Sequence, residues 1–387
     1  MKIDIARRIA TLPPYPFARI DELKAEQRKR GVDLIDLGIG DPDLPTPPHI
    51  VAALREAATV ASHHRYPSYV GMMELRAAAA AFCKKRFGVT LDPASEVVTL
   101  IGSKEGIAHL PLALVDPGDV VLCPDPGYPV YAVGTQFCGG EVYPLPLRRA
   151  NGFLPDLRAI PARVAASAKV IWVNYPNNPT AALAPRAFYE ELVAFARAHE
   201  IVIASDLAYS EMYFGEEPPL SILEIPGARD VAIEFHSLSK TYNMTGWRVG
   251  FAAGNRELVG ALGKVKTNVD SGVFEAVQVA AITALSGDQS CVVAQRQIYK
   301  DRREALCGTL RRAGFDVIVP EATFYALLAC PSGMTSLDYA GKILETAGVV
   351  VTPATGFGPT GEGFVRLTLC ADEKRLAEAA ARLIKMG

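Results

Sequence analysis

Long apolar runs are missing from this chain: nothing in its 387 residues approaches the roughly 20 consecutive apolar residues that span a bilayer. The first residues, Met1-Lys-Ile-Asp-Ile-Ala-Arg-Arg, put charges where a secretory signal needs an apolar core. Membrane partners are therefore not expected, and the expected location is the cytoplasm. An excess of positive charge is missing too. The formal net charge is -2 and the basic residues are dispersed, so the clustered cations that neutralise nucleic-acid phosphates are lacking and no nucleic-acid partner is expected. The seven cysteines, at 83, 123, 138, 291, 307, 330 and 370, form no C-x-x-C pair. Neither a zinc site nor a disulfide framework is suggested; buried free thiols and no metal are the expectation. No G-x-G-x-x-G follows a strand-like run and no G-x-x-x-x-G-K-[ST] occurs, which removes the main support for dinucleotide or nucleoside-triphosphate binding. Asn243-Met-Thr matches a glycosylation sequon that has no meaning without secretion, and no internal repeat is visible.

What is present is a large apolar fraction, 50% of residues against 21% charged, enough for a sizeable core in two or three domains. From about 97 to 254, short β-branched runs alternate with helical stretches: Val97-Val-Thr-Leu-Ile, Val120-Val-Leu-Cys, Lys169-Val-Ile-Trp-Val-Asn, Ile201-Val-Ile-Ala-Ser-Asp and Val231-Ala-Ile-Glu-Phe-His. This alternation predicts an α/β fold, a mainly parallel sheet covered by helices on both faces. Phe188 to Ala198 reads as an amphipathic helix and Ala77 to Ala81 as a strong helix run. Both chain ends, 1 to about 45 with its prolines and 290 to 387 with a long helix and strands such as Phe364-Val-Arg-Leu-Thr-Leu, would together build a small second domain.

Sheets of this kind bind ligands outside the carboxyl ends of their strands. Each predicted strand end here supplies a different polar group: Gly102-Ser-Lys, Tyr128, the stretch from Asn174 to Thr180, Asp206-x-x-Tyr209 and Ser237-Leu-Ser-Lys240. Singly they mean little, since a lysine in a serine-rich loop is usually solvated, an aspartate at a strand end often caps a helix, and Asn-Asn-Pro is usually a turn. Together they are the groups that a phosphorylated, nitrogen-containing aromatic cofactor requires.

The segment from Ser237 to Phe251, Ser-Leu-Ser-Lys-Thr-Tyr-Asn-Met-Thr-Gly-Trp-Arg-Val-Gly-Phe, resembles the lysine signature of the class I/II aminotransferases of fold-type I. Tyr66, Gly102-Ser103-Lys104, Tyr128, Asn178-Pro-Thr, Asp206-x-x-Tyr209, Lys240, Arg248 and Arg366 follow in that family's order, so the resemblance spans nearly the whole chain. It implies an N-terminal arm and part of a small domain at 1–48, a large cofactor-binding domain at 49–285 and a small α+β C-terminal domain at 286–387. It also implies pyridoxal 5'-phosphate, carried by Lys240 as a Schiff base, with the freed amine then moving the substrate α-proton. Asp206 would hold a proton on the pyridine nitrogen. Asn178 and Tyr209 would bond the ring's phenolic oxygen, and Tyr128 would stack on the ring. The phosphate would take backbone N–H groups at Ser103 and Lys104, the hydroxyls of Ser237 and Ser239, and Arg248. Tyr66 would reach the phosphate of a neighbouring subunit, which implies a homodimer with shared active sites.

For the substrates, amino acids and 2-oxo acids, the resemblance gives Arg366 the α-carboxylate, with help from the backbone at Gly40. Tyr15, in Leu12-Pro-Pro-Tyr, would close over the site. Leu12-Pro-Pro-Tyr, the stretch from Asp36 to Pro47, Gly102-Ser-Lys-Glu-Gly and Thr267-Asn-Val-Asp-Ser-Gly-Val-Phe look most like the bacterial LL-diaminopimelate aminotransferases. Those enzymes act with 2-oxoglutarate and give tetrahydrodipicolinate in lysine synthesis. Lys104, Tyr15 and the 268–272 loop would then meet the far end of that substrate. Alanine and aspartate aminotransferases share several of these stretches. A lyase or decarboxylase using the same lysine, or a silent regulator on the same fold, are the readings from other classes.

Overall fold

The computed structural model describes residues 3–12 and 18–386. Its centre is a seven-stranded sheet: β1 (Val97–Leu100), β2 (Val120–Asp125), β3 (Glu141–Pro146), β4 (Ala168–Val173), β5 (Val202–Asp206), β6 (Ala232–Ser237) and β7 (Gly250–Gly254). The spatial order is β1-β7-β6-β5-β4-β2-β3. The pairs from β6 through to β3 are parallel, and only β7 runs against its two neighbours. The interior strands are almost wholly buried because helices cover both faces, which is why they read as largely apolar runs. One face carries the cluster of Leu122, Ile171, Ile203 and Phe251 with helix Arg186–Ala198; the other carries Val121, Trp172, Ala204 and Phe235 with helix α1 (Ser103–Leu114).

A second sheet, four-stranded and antiparallel, is built from the C-terminal part: β8 (Val317–Ile318), β9 (Tyr325–Ala329), β10 (Thr352–Pro353) and β11 (Phe364–Thr368), in the order β10-β11-β9-β8. Its core includes Ile20 and Leu23 from helix Ala18–Lys29 as well as Ile343, Leu344, Leu376 and Leu383 from C-terminal helices. The N-terminal Ile35–Asp36 pairs in parallel with Val349–Val350, so residues from both chain ends share this core. The long helix expected after residue 290 runs from Ser290, widens into a π turn at Glu304–Gly308 and ends at Arg312. All seven cysteines are free, but only Cys83, Cys123 and Cys307 are buried; the other four are half-buried, which corrects the expectation of uniformly buried thiols. Among the described residues no single helix is long and apolar enough to cross a membrane.

Candidate active site

A cavity of about 220 Å³ opens where the carboxyl ends of β1, β2, β4, β5 and β6 converge. Asp206, the last residue of β5, lines it. Its Oδ2 accepts a 2.7 Å hydrogen bond from the Tyr131 hydroxyl, while its Oδ1 is buried without any partner. Tyr131 is itself fixed by stacking on Trp172, with ring centroids 4.8 Å apart. Burial pushes the Asp206 carboxyl up to about 6, against the opposing pull of the Tyr131 bond, the Ala208 backbone and His236. A buried acceptor with nothing to accept from calls for a donor, and a cationic N–H would satisfy it best.

Ser237, the last residue of β6, caps the short turn Leu238–Thr241 by accepting the Ser239 N–H at 3.2 Å, and this turn presents Lys240 to the cavity. The Lys240 Nζ donates to the Gly40 carbonyl at 3.3 Å and lies 5.6 Å from the Phe324 ring centroid. Desolvation lowers its pKa; Asp41 and Cys370 oppose the shift, and Arg248 and Arg366 reinforce it. An amine biased in this way toward its neutral form is a better nucleophile and proton acceptor.

The same cavity has an anion-binding end. Helix α1 opens at Ser103 after Gly102, whose φ of 72° places it in the left-handed region. A Cβ on Gly102 would lie 2.3 Å from the Arg248 Nη2, so only glycine lets the guanidinium come this close to the helix N-terminus. Arg248 is held there by a 2.7 Å bond from Nη1 to the Thr245 carbonyl. Ser103, Lys104, Ser237, Ser239 and Thr245 line the cavity with it. Helix N–H groups, hydroxyls and a guanidinium form a set suited to a dianion.

Tyr128, Asn178 and Tyr209 also line the cavity. Burial, and then the Asp206 charge, push the Tyr128 hydroxyl up to about 12. Asn178 accepts from the Arg366 Nη1 at 3.0 Å, while the Arg366 Nη2 donates to the Gly38 carbonyl at 2.7 Å. The guanidinium lies 4.4 Å from the Tyr325 ring centroid and 4.6 Å from that of Phe357. Arg366 is thus buried and clamped; it lines a neighbouring cavity of about 250 Å³ with Asp36, Gly38 and Thr352, and meets this one through Asn178 and Tyr325. Gly40 lines the cavity, where its carbonyl accepts from Lys240, and the Gly38 carbonyl accepts from Arg366.

Tyr66 does not line this cavity; it is 87% exposed. The 268–272 loop does not line it either; within that loop Asp270 accepts from Lys266 and from the Gly272 N–H. Tyr15 lies outside the described residues.

The sequence profile described as "Aminotransferase class I and II" matches residues 32–383. The chain belongs to that family. This aminotransferase is 56% identical over 382 residues to a Syntrophobacter fumaroxidans protein named LL-diaminopimelate aminotransferase, covering 99% of this chain and 98% of that one. Among solved structures, substrate-bound BacF from Bacillus subtilis is 40% identical with a TM-score of 0.94, covering 100% of this chain and 98% of that one. A mutant aspartate aminotransferase from Thermus thermophilus is 29% identical with a TM-score of 0.93 and full coverage of both chains. The fold is that of the fold-type I aminotransferases, a family that depends in general on pyridoxal phosphate and acts on amino and oxo acids.

Sequence reasoning missed two tyrosines of this aminotransferase. Tyr131 supports Asp206 from 75 residues away, and Tyr325, whose hydroxyl is 3.1 Å from that of Tyr209, comes from 116 residues away. Both sit in apolar surroundings that read as core, and no local spacing marks them.

Proposed function

We propose that this aminotransferase moves the amino group of LL-diaminopimelate to 2-oxoglutarate, giving glutamate and an amino-oxo diacid that closes with loss of water to tetrahydrodipicolinate, with pyridoxal 5'-phosphate held in the 220 Å³ cavity. The observation that carries the cofactor reading is the unpartnered Oδ1 of Asp206, in the cavity that also holds the Lys240 amine. When bound, the cofactor draws electrons from the substrate Cα and so acidifies its proton. Asp206 holds a proton on the ring nitrogen. Lys240 would hold the cofactor through its amine, and the same amine would be the base for the α-proton. Tyr128 would pack against the ring, and Asn178 and Tyr209 would hold its phenolic oxygen. Ser103, Lys104, Ser237, Ser239 and Arg248 bind the phosphate, and Arg366 grips the α-carboxylate as a planar fork.

The name carried by the Syntrophobacter relative supports the substrate. The exposed Tyr66 supports a homodimer in which it serves the second copy's phosphate. Domains at 1–48, 49–285 and 286–387 and a cytoplasmic location belong to the same reading. The test is a panel of amino donors with 2-oxoglutarate, following glutamate. LL-diaminopimelate is expected to exceed alanine and aspartate in kcat/KM by at least roughly tenfold, a difference of about 1.4 kcal/mol. Alanine or aspartate matching it would overturn the substrate and leave the transamination. Consumption of the amino acid without any need for a 2-oxo acid would point to a lyase.

A further inference from the structure

Helix α2 (Arg256–Val269) carries in its last turn a lysine, Lys266, with no exposed side-chain surface. The Lys266 Nζ donates to the Glu105 Oε2 at 2.8 Å and to the Asp270 Oδ2 at 3.1 Å. Glu105 is the third residue of α1, directly after Ser103 and Lys104. Its Oε1 meets the His109 Nδ1 at 2.7 Å, and its Oε2 also accepts the Ile101 N–H at 3.0 Å, just before the Gly102 turn. Burial works to raise the Glu105 carboxyl, yet it lies below its usual range because His109 and Lys266 favour the charged form. Glu105, His109 and Asp270 have the residue types and the closeness of a metal site. The ammonium already bonds both carboxylates, so the chain supplies its own cation.

This lysine touches nothing in the cavity, but it joins three segments of the fold. It ties the first turn of α1 to the end of α2 and, through the Asp270 bond to the Gly272 N–H of 2.8 Å, to the following loop. Without the ammonium, two partly buried carboxylates would face each other with no cation between them, Glu105 keeping only His109 and the Ile101 N–H and Asp270 only the Gly272 N–H, and such close like charges are costly. The turn bearing Glu105 would relieve this by shifting. That turn carries the N–H groups of Ser103 and Lys104 and the Gly102 approach to Arg248.

We propose that Lys266 is a positioning residue for the anion-binding end of the cavity, setting affinity for the cofactor phosphate through Glu105 without touching it. The proposal rests on the pyridoxal-phosphate reading above and adds a residue to it. Cofactor-free enzyme is titrated with pyridoxal 5'-phosphate and, separately, with pyridoxal, which lacks the phosphate, following cofactor absorbance in wild type, Lys266→Met and Lys266→Arg. Lys266→Met is expected to lose at least roughly tenfold in affinity for the phosphorylated form and less than about twofold for pyridoxal, and Lys266→Arg to recover most of the loss. If Lys266→Met does not fold, Glu105→Gln, which keeps the shape and leaves Lys266 its Asp270 partner, is expected to lower the same ratio. Equal losses for the two ligands, or no loss, would overturn the positioning role. A wild type that does not prefer the phosphorylated form would overturn the reading of the site itself.

Discussion

Asp206 is a buried carboxylate whose Oδ2 is bonded by Tyr131 and whose Oδ1 makes no hydrogen bond, with only the Ala208 N–H and His236 nearby to favour its charge, and that arrangement has a cost when the ring cation is absent. Its carboxyl is raised from 3.8 to about 6 in the folded protein, chiefly by burial. A rise of about two units corresponds to about 3 kcal/mol. The sign follows from which state releases the proton more readily. That is the unfolded chain, so the ionised group opposes folding at pH above 6, and the penalty fades as pH falls from 6 toward 4. Asparagine carries no charge and can still accept from Tyr131. Cofactor-free Asp206→Asn is therefore expected to be more stable than wild type at pH 7.5 by up to about 3 kcal/mol, with the gap closing near pH 4. Urea unfolding of both cofactor-free proteins across that range measures it. With the cofactor added, the gap should shrink or reverse, because only the carboxylate pairs with a ring cation. A variant no more stable at pH 7.5, or a gap independent of pH, would refute the reasoning.

The same Asp206→Asn change should slow single-turnover α-proton transfer by at least roughly 100-fold, since the ring nitrogen loses its anionic partner; a near-normal rate would contradict that role. Arg366→Lys keeps the charge but loses the fork that reaches Asn178 and Gly38 and the flat contact with Tyr325 and Phe357. Steady-state kinetics should show both KM and kcat worsened for every amino acid, by roughly 10- to 1,000-fold in kcat/KM.

The strands that position the site were legible because they are buried on both faces and so read as largely apolar runs, broken by few polar residues such as Glu234 and His236. The expected runs at 97–101, 120–123, 169–174, 201–206 and 231–236 correspond to β1, β2, β4, β5 and β6. The two other strands of the sheet gave no such signal. Strand β3, Glu-Val-Tyr-Pro-Leu-Pro, is a largely exposed edge where proline is tolerated, and its two prolines read as loop. Strand β7, Gly-Phe-Ala-Ala-Gly, has little β propensity and is held by burial between β1 and β6. Within the site, residues in local motifs such as Ser237-x-x-Lys240 and Asp206-x-x-Tyr209 were readable, whereas Tyr131 and Tyr325, and Lys266 outside the cavity, are placed by long-range contacts. Lys266, in Lys264-Val-Lys, reads as one more solvated charge on an amphipathic helix and is in fact wholly enclosed.

The central claim, that this cavity carries pyridoxal phosphate on Lys240, is tested most directly by borohydride reduction of the purified enzyme followed by peptide mapping. The cofactor is expected on the peptide containing Lys240, and Lys240→Ala should keep its fold but take up no label. Label on any other lysine, or none on a protein that has bound the cofactor, would contradict the account.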